Sequence, residues 1–174
     1  MIDMNETTLN AACVRAAEGL VRLATERDMH VSTAESCTAG MVSSYIAGVP
    51  GASAVLLGGA VTYCDDIKNH VLDVPAKTLK NHTAVSGETA SAMADGSRKL
   101  FGSDVAVSIT GYAGPGGGSS ADPVGTVYIG VATQRGTRYE RHLFGGDRMS
   151  VRLQAALGAL KLLAAAVVDG GASA

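Results

Sequence analysis

The stretch from Val31 to Ala47 constrains the fold most, because a short β-branched segment runs directly into a segment with helical spacing. Val31 to Thr33 predicts a buried strand, since β-branched and small residues favour strands. Thr38 to Ala47 carries apolar residues that can share one face of a helix. The sequence therefore predicts a strand-to-helix corner of the kind found in layered α/β domains.

The corner between these two segments carries four side chains that can do chemistry, in the order Glu35, Ser36, Cys37 and Thr38. Unpaired backbone N–H groups and the helix dipole at such a corner favour a phosphate or an oxyanion. Ser36 is therefore a candidate nucleophile. The alternative is that Ser36 and Thr38 only cap the helix, which is what such residues commonly do.

Helical and strand-like segments alternate along the rest of the chain. This pattern predicts a single three-layer α/β domain with a mixed β-sheet flanked by helices. We assign residues 1–174 to one domain, with a core at about 8–168 and flexible ends at 1–7 and 169–174. Helices are predicted at 8–27, 65–72, 75–80, 86–100 and 148–168, and further strands at 54–63, 105–110, 124–133 and 139–144.

Two local patterns add detail to this fold. Gly58 and Gly59 lie within the second strand, so we expect a bulge or a close approach of another backbone there. The helix at 86–100 is expected to bury Ala90, Met93, Ala94 and Leu100.

Composition argues against several classes of protein. The net charge of −2 gives no electrostatic basis for binding nucleic acid or an anionic membrane. Aromatic residues make up 4% and tryptophan is absent, so base-stacking surfaces are not expected. The three cysteines lack CxxC spacing, which predicts reduced thiols in a cytoplasmic protein. No signal peptide is recognisable, and the apolar run at 157–168 is shorter than the ~18 residues of a membrane span.

Three loops that follow predicted strands are expected to meet at one edge of the sheet: Glu35 to Thr38, Tyr63 to Lys68 and Thr110 to Pro123. Lys68 is the candidate base for Ser36, because a desolvated lysine can lose its proton near neutral pH. The alternative is a surface lysine paired with a neighbouring aspartate.

Other catalytic arrangements have less support in the sequence. Cys37 competes as nucleophile, since thiolates are also stabilised at helix N-termini, although such a cysteine commonly fills space in the core. All four histidines lie outside the three loops, so a Ser-His-Asp triad finds no motif. No cluster has the spacing of a metal site, and no metal is predicted.

The glycine-rich segment at 111–118 is a candidate phosphate-binding loop, because glycines leave backbone N–H groups accessible. It matches neither a Walker A sequence nor GxGxxG, and a flexible connection between strands is the alternative. Arg148 follows a GGD turn and can contact a phosphate at the helix start. A cation is unfavourable there for the helix dipole, which favours a ligand role over a plain surface arginine.

Five motifs occur in matching order between Leu9 and Leu163: TAESCTAG, VTYCDDIK, HTAVSGETA, SITGYAGPGGG with DPVGTVYIGVA, and FGGDRMSVR. In these motifs the chain resembles the CinA C-terminal domain family, whose stand-alone members include nicotinamide mononucleotide amidases. The resemblance implies hydrolysis of the carboxamide of nicotinamide mononucleotide to nicotinate mononucleotide and ammonia, without a cofactor.

The resemblance also implies roles for individual residues. Ser36 would be the nucleophile and Lys68 its general base, with Tyr63 and Thr110 lining the site. N–H groups near Cys37 and Thr38 would bind the oxyanion. The substrate-binding set would be Glu35, Cys37, Thr38, Gly111, Gly114, Gly116, Gly117 and Arg148, of which the loop glycines and the arginine would hold the phosphoribosyl group. Separately from the resemblance, apolar edge elements and the alanine-rich final helix lead us to expect self-association, with a homodimer as the simplest form.

Two departures from the family pattern carry predictions of their own. Ala39 stands where the family has glycine, and we expect it to be harmless because alanine is a good helix former. Asp65 and Asp66 replace the residues of a YSNExK pattern, and their charge is expected to raise the pKa of Lys68. If that weakened the base, the chain would be a nucleotide-binding module linked to competence rather than an efficient amidase.

Overall fold

The computed structural model describes residues 5–170, so the outermost parts of the two predicted flexible ends lie outside the described residues. Its five strands are β1 (Val31–Glu35), β2 (Leu56–Val61), β3 (Val105–Gly111), β4 (Thr126–Thr133) and β5 (Gly136–Leu143). They form one open sheet in the order β2-β1-β3-β4-β5. β1 is parallel to β2 and β3, whereas β4 is antiparallel to both of its neighbours.

Within residues 5–170, six α-helices cover the two faces of this sheet: α1 (Glu6–Glu26), α2 (Met41–Ala47), α3 (Asp65–Leu72), α4 (Ala76–His82), α5 (Gly87–Phe101) and α6 (Arg148–Gly170). α1, α2 and α6 pack on one face over the main apolar core. α5 covers the other face, with α3 and α4 packed against it. The predicted three-layer α/β fold with a mixed sheet is confirmed.

Some predicted helix limits need correction. α1 begins at Glu6, where the side chain of Asn5 accepts a hydrogen bond from the N–H of Thr8. α6 continues to Gly170, so part of each predicted flexible end is helical. α2 begins only at Met41, and the segment before it is a turn rather than the first turn of a helix.

The face of the sheet beneath α5 is built from small residues, which lets the helix approach closely. A Cβ on Gly130 would lie 2.5 Å from the carbonyl oxygen of Ala90, and the Ser108 hydroxyl donates to that same oxygen. Ala90, Met93 and Ala94 are buried as predicted. The prediction for Leu100 is wrong, because its side chain is 51% exposed near the end of the helix.

The paired glycines of β2 leave room for side chains of neighbouring elements and not for another backbone, and a register irregularity accompanies them. A Cβ on Gly58 would collide with the ring of Phe101, and one on Gly59 with the hydroxyls of Thr33 and Ser43. The pairing register between β1 and β2 also shifts next to Val31. Glycine therefore lets helices pack onto both faces of this edge strand.

α6 is long and apolar enough to cross a membrane by length and composition alone, among the residues that the structure describes. Most of it is nonetheless buried against α1, β3 and β4. Val151, Leu157, Leu160 and Leu163 all belong to the main core. This is the packing of a core helix in a folded domain.

Candidate functional site

Ser36 lies where the carboxyl ends of the three parallel strands meet. Its N–H donates to the carbonyl of Ile109 at the end of β3, at 2.9 Å. On the other side, the N–H of Thr62 donates to the carbonyl of Glu35, at 2.8 Å. Ser36 is therefore held between the ends of β2 and β3, and its side chain is 9% exposed. The topology brings the three predicted loops to one edge, as expected for parallel strands.

The carboxylate of Glu35 is fully buried and organises the turn that follows Ser36. It accepts hydrogen bonds from the N–H groups of Gly40 (2.9 Å), Val42 (3.1 Å) and Ser43 (2.9 Å). These donors belong to the unpaired start of α2, where the helix dipole also favours an anion. A substrate contact for Glu35 does not fit this geometry, because both of its oxygens are occupied within the protein.

The turn between β1 and α2 leaves two backbone N–H groups available. The N–H of Ala39 donates to the carbonyl of Ser36, and that of Met41 donates to the carbonyl of Thr38. The N–H groups of Cys37 and Thr38 have no backbone acceptor within residues 5–170. Ala39 itself has φ +53°, so it is not the helix former that the sequence suggested. Its conformation is one that glycine adopts without cost.

Arg152 is a residue that the sequence analysis missed. Its Nε donates to the carbonyl of Cys37 at 3.0 Å, and its Nη2 donates to the carbonyl of Thr38 at 2.9 Å. Arg152 lies one helical turn after Arg148, so both arginines project from the same face of α6. The (i, i+4) spacing in FGGDRMSVR was the available signal.

Lys68 is buried on helix α3, within the helix predicted at 65–72, so the loop after β2 is shorter than the predicted Tyr63 to Lys68. It is 1% exposed, and its Nζ donates to the carbonyl of Tyr63 at 3.3 Å. Burial lowers the pKa of Lys68 below the ordinary value of 10.5, against an opposing effect of Asp65, whose carboxylate lies 3.8 Å away. Asp65 raises the pKa as expected, but desolvation outweighs this aspartate, which is itself 55% exposed, so the pKa of Lys68 is lowered overall.

Cys37 is buried at the same corner. Burial raises the pKa of its thiol to about 11, although the nearby guanidinium groups of Arg152 and Arg148 act in the opposite direction. The thiol is therefore protonated near neutral pH, whereas a cysteine nucleophile needs a thiolate. All three cysteines of the chain are free thiols.

Arg148 connects two of the predicted site segments. Its Nη1 donates to the carbonyl of Gly114 at 2.7 Å, and its Nη2 donates to the Tyr63 hydroxyl at 2.9 Å. Tyr63 is 58% exposed, so its ring stands at the open rim of the corner. The arginine thus joins the glycine-rich loop to the end of β2.

Thr110 is buried near the end of β3 and binds another predicted motif. Its hydroxyl donates to the carbonyl of Ala84 at 2.7 Å, in the segment between α4 and α5. The segment continues into α5 at Ser86, whose hydroxyl accepts from the N–H of Thr89. Thr110 therefore holds the HTAVSGETA segment against the sheet.

The glycines of the loop after β3 differ in their positions. Gly111 belongs to β3 and pairs with Val127, where a Cβ would lie 2.6 Å from a backbone oxygen. Gly114 and Gly117 have φ of +84° and +88°. A Cβ on Gly116 would meet nothing within 4 Å. In the described chain, only Gly114 is hydrogen-bonded to another predicted site residue.

An open cleft of about 440 Å³ adjoins the corner between α1, α2 and α6. Thr38 and Arg152 line it, together with Asn10 and Tyr45, which hydrogen-bond to each other. A second cleft, of about 340 Å³, lies near the start of β3 and includes none of the predicted site residues. Within residues 5–170, no group of three or more His, Cys, Asp and Glu side chains is arranged to hold a metal ion.

Comparison with known proteins shows the family of this chain. The sequence model of one protein family, the CinA C-terminal domain, matches residues 14–167. The chain belongs to the CinA C-terminal domain family. A CinA-like protein from Thermotoga sp. (strain RQ2) is 47% identical over 84% of the chain, and one from Myxococcus xanthus is 48% identical over 76%. The chain spans about a third of the length of these curated relatives, at 36% and 32% respectively.

Solved CinA structures have the same fold. The competence/damage inducible protein CihA from Agrobacterium tumefaciens superposes with a TM-score of 0.86 at 36% identity, covering 90% of this chain and 96% of that one. A CinA superfamily protein from Klebsiella pneumoniae gives a TM-score of 0.86 at 33% identity, covering 90% and 98%.

Proposed function

We propose that this CinA domain is an amidohydrolase that converts nicotinamide mononucleotide into nicotinate mononucleotide and ammonia. One observation carries the proposal: a buried lysine with a lowered pKa lies at the same sheet edge as a serine followed by two N–H groups without a backbone acceptor. A lysine that loses its proton more readily than usual can act as a general base. A serine needs such a base before it becomes a nucleophile.

The first half of the reaction forms an acyl-enzyme. Lys68 Nζ takes the proton from Ser36 Oγ as this oxygen bonds to the carboxamide carbon, and the carbonyl π electrons move to its oxygen. The resulting oxyanion is bound by the N–H groups of Cys37 and Thr38. When the intermediate collapses, the C–N bond breaks, the protonated lysine gives its proton to the departing nitrogen, and ammonia leaves.

The second half repeats these steps with water. Lys68 accepts a proton from a water molecule as the oxygen of that water attacks the acyl carbon. The ester bond to Ser36 then breaks. The proton then returns to Ser36 Oγ, and nicotinate mononucleotide leaves as the free acid. The mechanism is a Ser-Lys variant of triad chemistry.

The remaining residues are assigned to substrate binding. Arg148 and the loop around Gly114 face the rim of the corner, and we assign the phosphoribosyl group to them because a guanidinium recognises phosphate well. Tyr63 contributes an exposed ring beside Arg148. Gly116 and Gly117 complete the glycine-rich phosphate-binding loop in this proposal. Gly111 allows β3 to pack closely against β4, and Thr110 fixes the segment between α4 and α5.

The proposal is tested by measuring ammonia release from nicotinamide mononucleotide with the purified protein. We expect turnover in the wild type and a loss of at least about 10³-fold in Ser36→Ala, as for other serine nucleophiles. Arg22→Met on the exposed surface of α1 is the control and should keep full activity. Binding without turnover in the wild type would instead favour a nucleotide-binding module.

Two wider expectations also belong to this proposal. A cytoplasmic location agrees with free thiols, and fractionation of the source cells tests it. The expected homodimer is checked by light scattering coupled to size-exclusion chromatography. A mass equal to one chain would refute the homodimer.

A further inference from the structure

We propose that Arg152 is a positioning residue that holds the turn after Ser36 and aims the oxyanion-binding N–H of Thr38. This inference rests on the amide hydrolysis proposed above. Arg152 makes two hydrogen bonds to consecutive carbonyls of the turn, those of Cys37 and Thr38. It reaches them from α6, a different element from the strand and helix that the turn connects.

The geometry of the peptide group links these bonds to the N–H groups. A carbonyl and the N–H that follows it belong to one planar unit and point in opposite directions. When Arg152 holds the carbonyl of Cys37, it therefore fixes the direction of the N–H of Thr38. The N–H of Cys37 is fixed in the same way, because the carbonyl of Ser36 accepts from the N–H of Ala39 at 3.1 Å.

The turn is thus held from both sides. Arg152 binds its carbonyls, while the buried carboxylate of Glu35 binds the N–H groups of Gly40 and Val42. Both are charge-assisted hydrogen bonds, which are stronger than neutral ones. The N–H groups of Ala39 and Met41 donate to carbonyls within the turn, whereas those of Cys37 and Thr38 have no backbone acceptor within residues 5–170.

Arginine suits this task better than lysine does. Its planar guanidinium donates two hydrogen bonds in a fixed fork, whereas a lysine ammonium is a flexible point charge. Its positive charge lies at the carbonyl end of the peptide between Cys37 and Thr38, opposite the N–H of Thr38, and polarises that peptide group. Arg152 is half-buried, so water screens that charge only in part.

The experiment compares Arg152→Met and Arg152→Lys with the Arg22→Met control. We expect Arg152→Met to lower kcat about 100-fold, as the loss of one oxyanion donor does, with KM changed less than about threefold. Arg152→Lys should lie between it and the wild type. The aldehyde analogue of the substrate, pyridine-3-carboxaldehyde mononucleotide, forms a hemiacetal oxyanion with Ser36 and should bind about 100-fold more weakly to Arg152→Met.

The proposal would be overturned if, in both variants, the loss of kcat followed the loss of the free energy of unfolding measured in urea, because that would indicate a purely structural role. An increase in KM with kcat unchanged would also overturn it, because that is the signature of a substrate contact. If Arg152→Met does not fold, the comparison between Arg152→Lys and the wild type decides.

A second measurement separates this inference from the proposed function. Amide resonances of Cys37 and Thr38 in ¹⁵N-labelled protein should shift and broaden in Arg152→Met, whether or not the protein hydrolyses an amide. Unchanged resonances would refute the positioning role. Absence of ammonia release by the wild type would refute the proposed function alone.

Discussion

Replacing Ala39 with glycine should stabilise the protein, although the same change in a helix destabilises it. Ala39 lies in the turn after Ser36 with φ +53°, in the left-handed region that side chains with a Cβ avoid. It is exposed, so removal of its methyl group costs little apolar burial. Ala39→Gly therefore isolates the backbone term.

The magnitude follows from two opposing contributions. The left-handed conformation costs a residue with a Cβ roughly 1–2 kcal/mol, which glycine does not pay. Glycine loses about 0.5–1 kcal/mol more backbone entropy on folding than alanine. The net gain in the free energy of unfolding is about 0.5–1 kcal/mol, which corresponds to roughly 1–4 °C in Tm for a chain of this size.

The matched control is Ala165→Gly in α6, where the alanine is equally exposed but helical. It should lower the free energy of unfolding by about 1 kcal/mol. Urea unfolding followed by circular dichroism measures both variants, and an unchanged m-value shows that the denatured state is comparable. A loss of stability in Ala39→Gly similar to that in Ala165→Gly would refute the assignment of Ala39 to a left-handed turn.

Further predictions concern the site. Lys68→Met should stabilise the fold at pH 7, because burial lowers the pKa of Lys68 in the folded state below its unfolded value of 10.5. Between the folded-state and unfolded-state pKa values the unfolded state binds more protons, so the stability of the wild type rises with pH. The stability advantage of Lys68→Met therefore shrinks towards pH 10.5. Urea titrations at several pH values measure this change. In the wild type, kcat/KM should rise with pH to a plateau with an apparent pKa below 10.5, and a rate that falls over this range would contradict a lysine base. Cys37→Ala should retain ammonia release, since its thiol, with a pKa of about 11, stays protonated; abolished turnover in a folded variant would favour cysteine chemistry. Tyr63→Phe removes the hydroxyl that accepts from Arg148 and should raise KM about fivefold, the equivalent of roughly 1 kcal/mol, in steady-state assays.

The limits of sequence reasoning are clearest at the corner itself. Periodicity and β-branched content located β1 and placed Ser36 directly after it, but a helix was expected to begin at Thr38. The structure inserts a turn through Ala39 and Gly40, because the buried carboxylate of Glu35 collects the N–H groups at the start of α2. Propensity favoured alanine in a helix, but the hydrogen bonds accepted by the buried Glu35 carboxylate prevailed.

Lys68 and Arg152 show the same limit for electrostatics and for contacts distant in sequence. The neighbouring aspartates suggested a raised pKa for Lys68, whereas its burial beneath the end of β2 lowers it. Arg152 lies 115 positions from Cys37 in the chain, and only the packing of α6 beside α2 brings its guanidinium to the turn.

Local periodicity, glycine placement and motif order were sufficient to predict the order of strands and helices, the α/β class, the family and the loops that meet at one edge. The conformation of Ala39, the lowered pKa of Lys68 and the role of Arg152 became visible only in the folded chain. The turn at Ala39 depends on how the nearby buried carboxylate of Glu35 is satisfied, whereas Lys68 depends on desolvation. Arg152 depends on a contact between residues 115 positions apart. A one-dimensional pattern specifies neither burial nor the partners of buried polar groups.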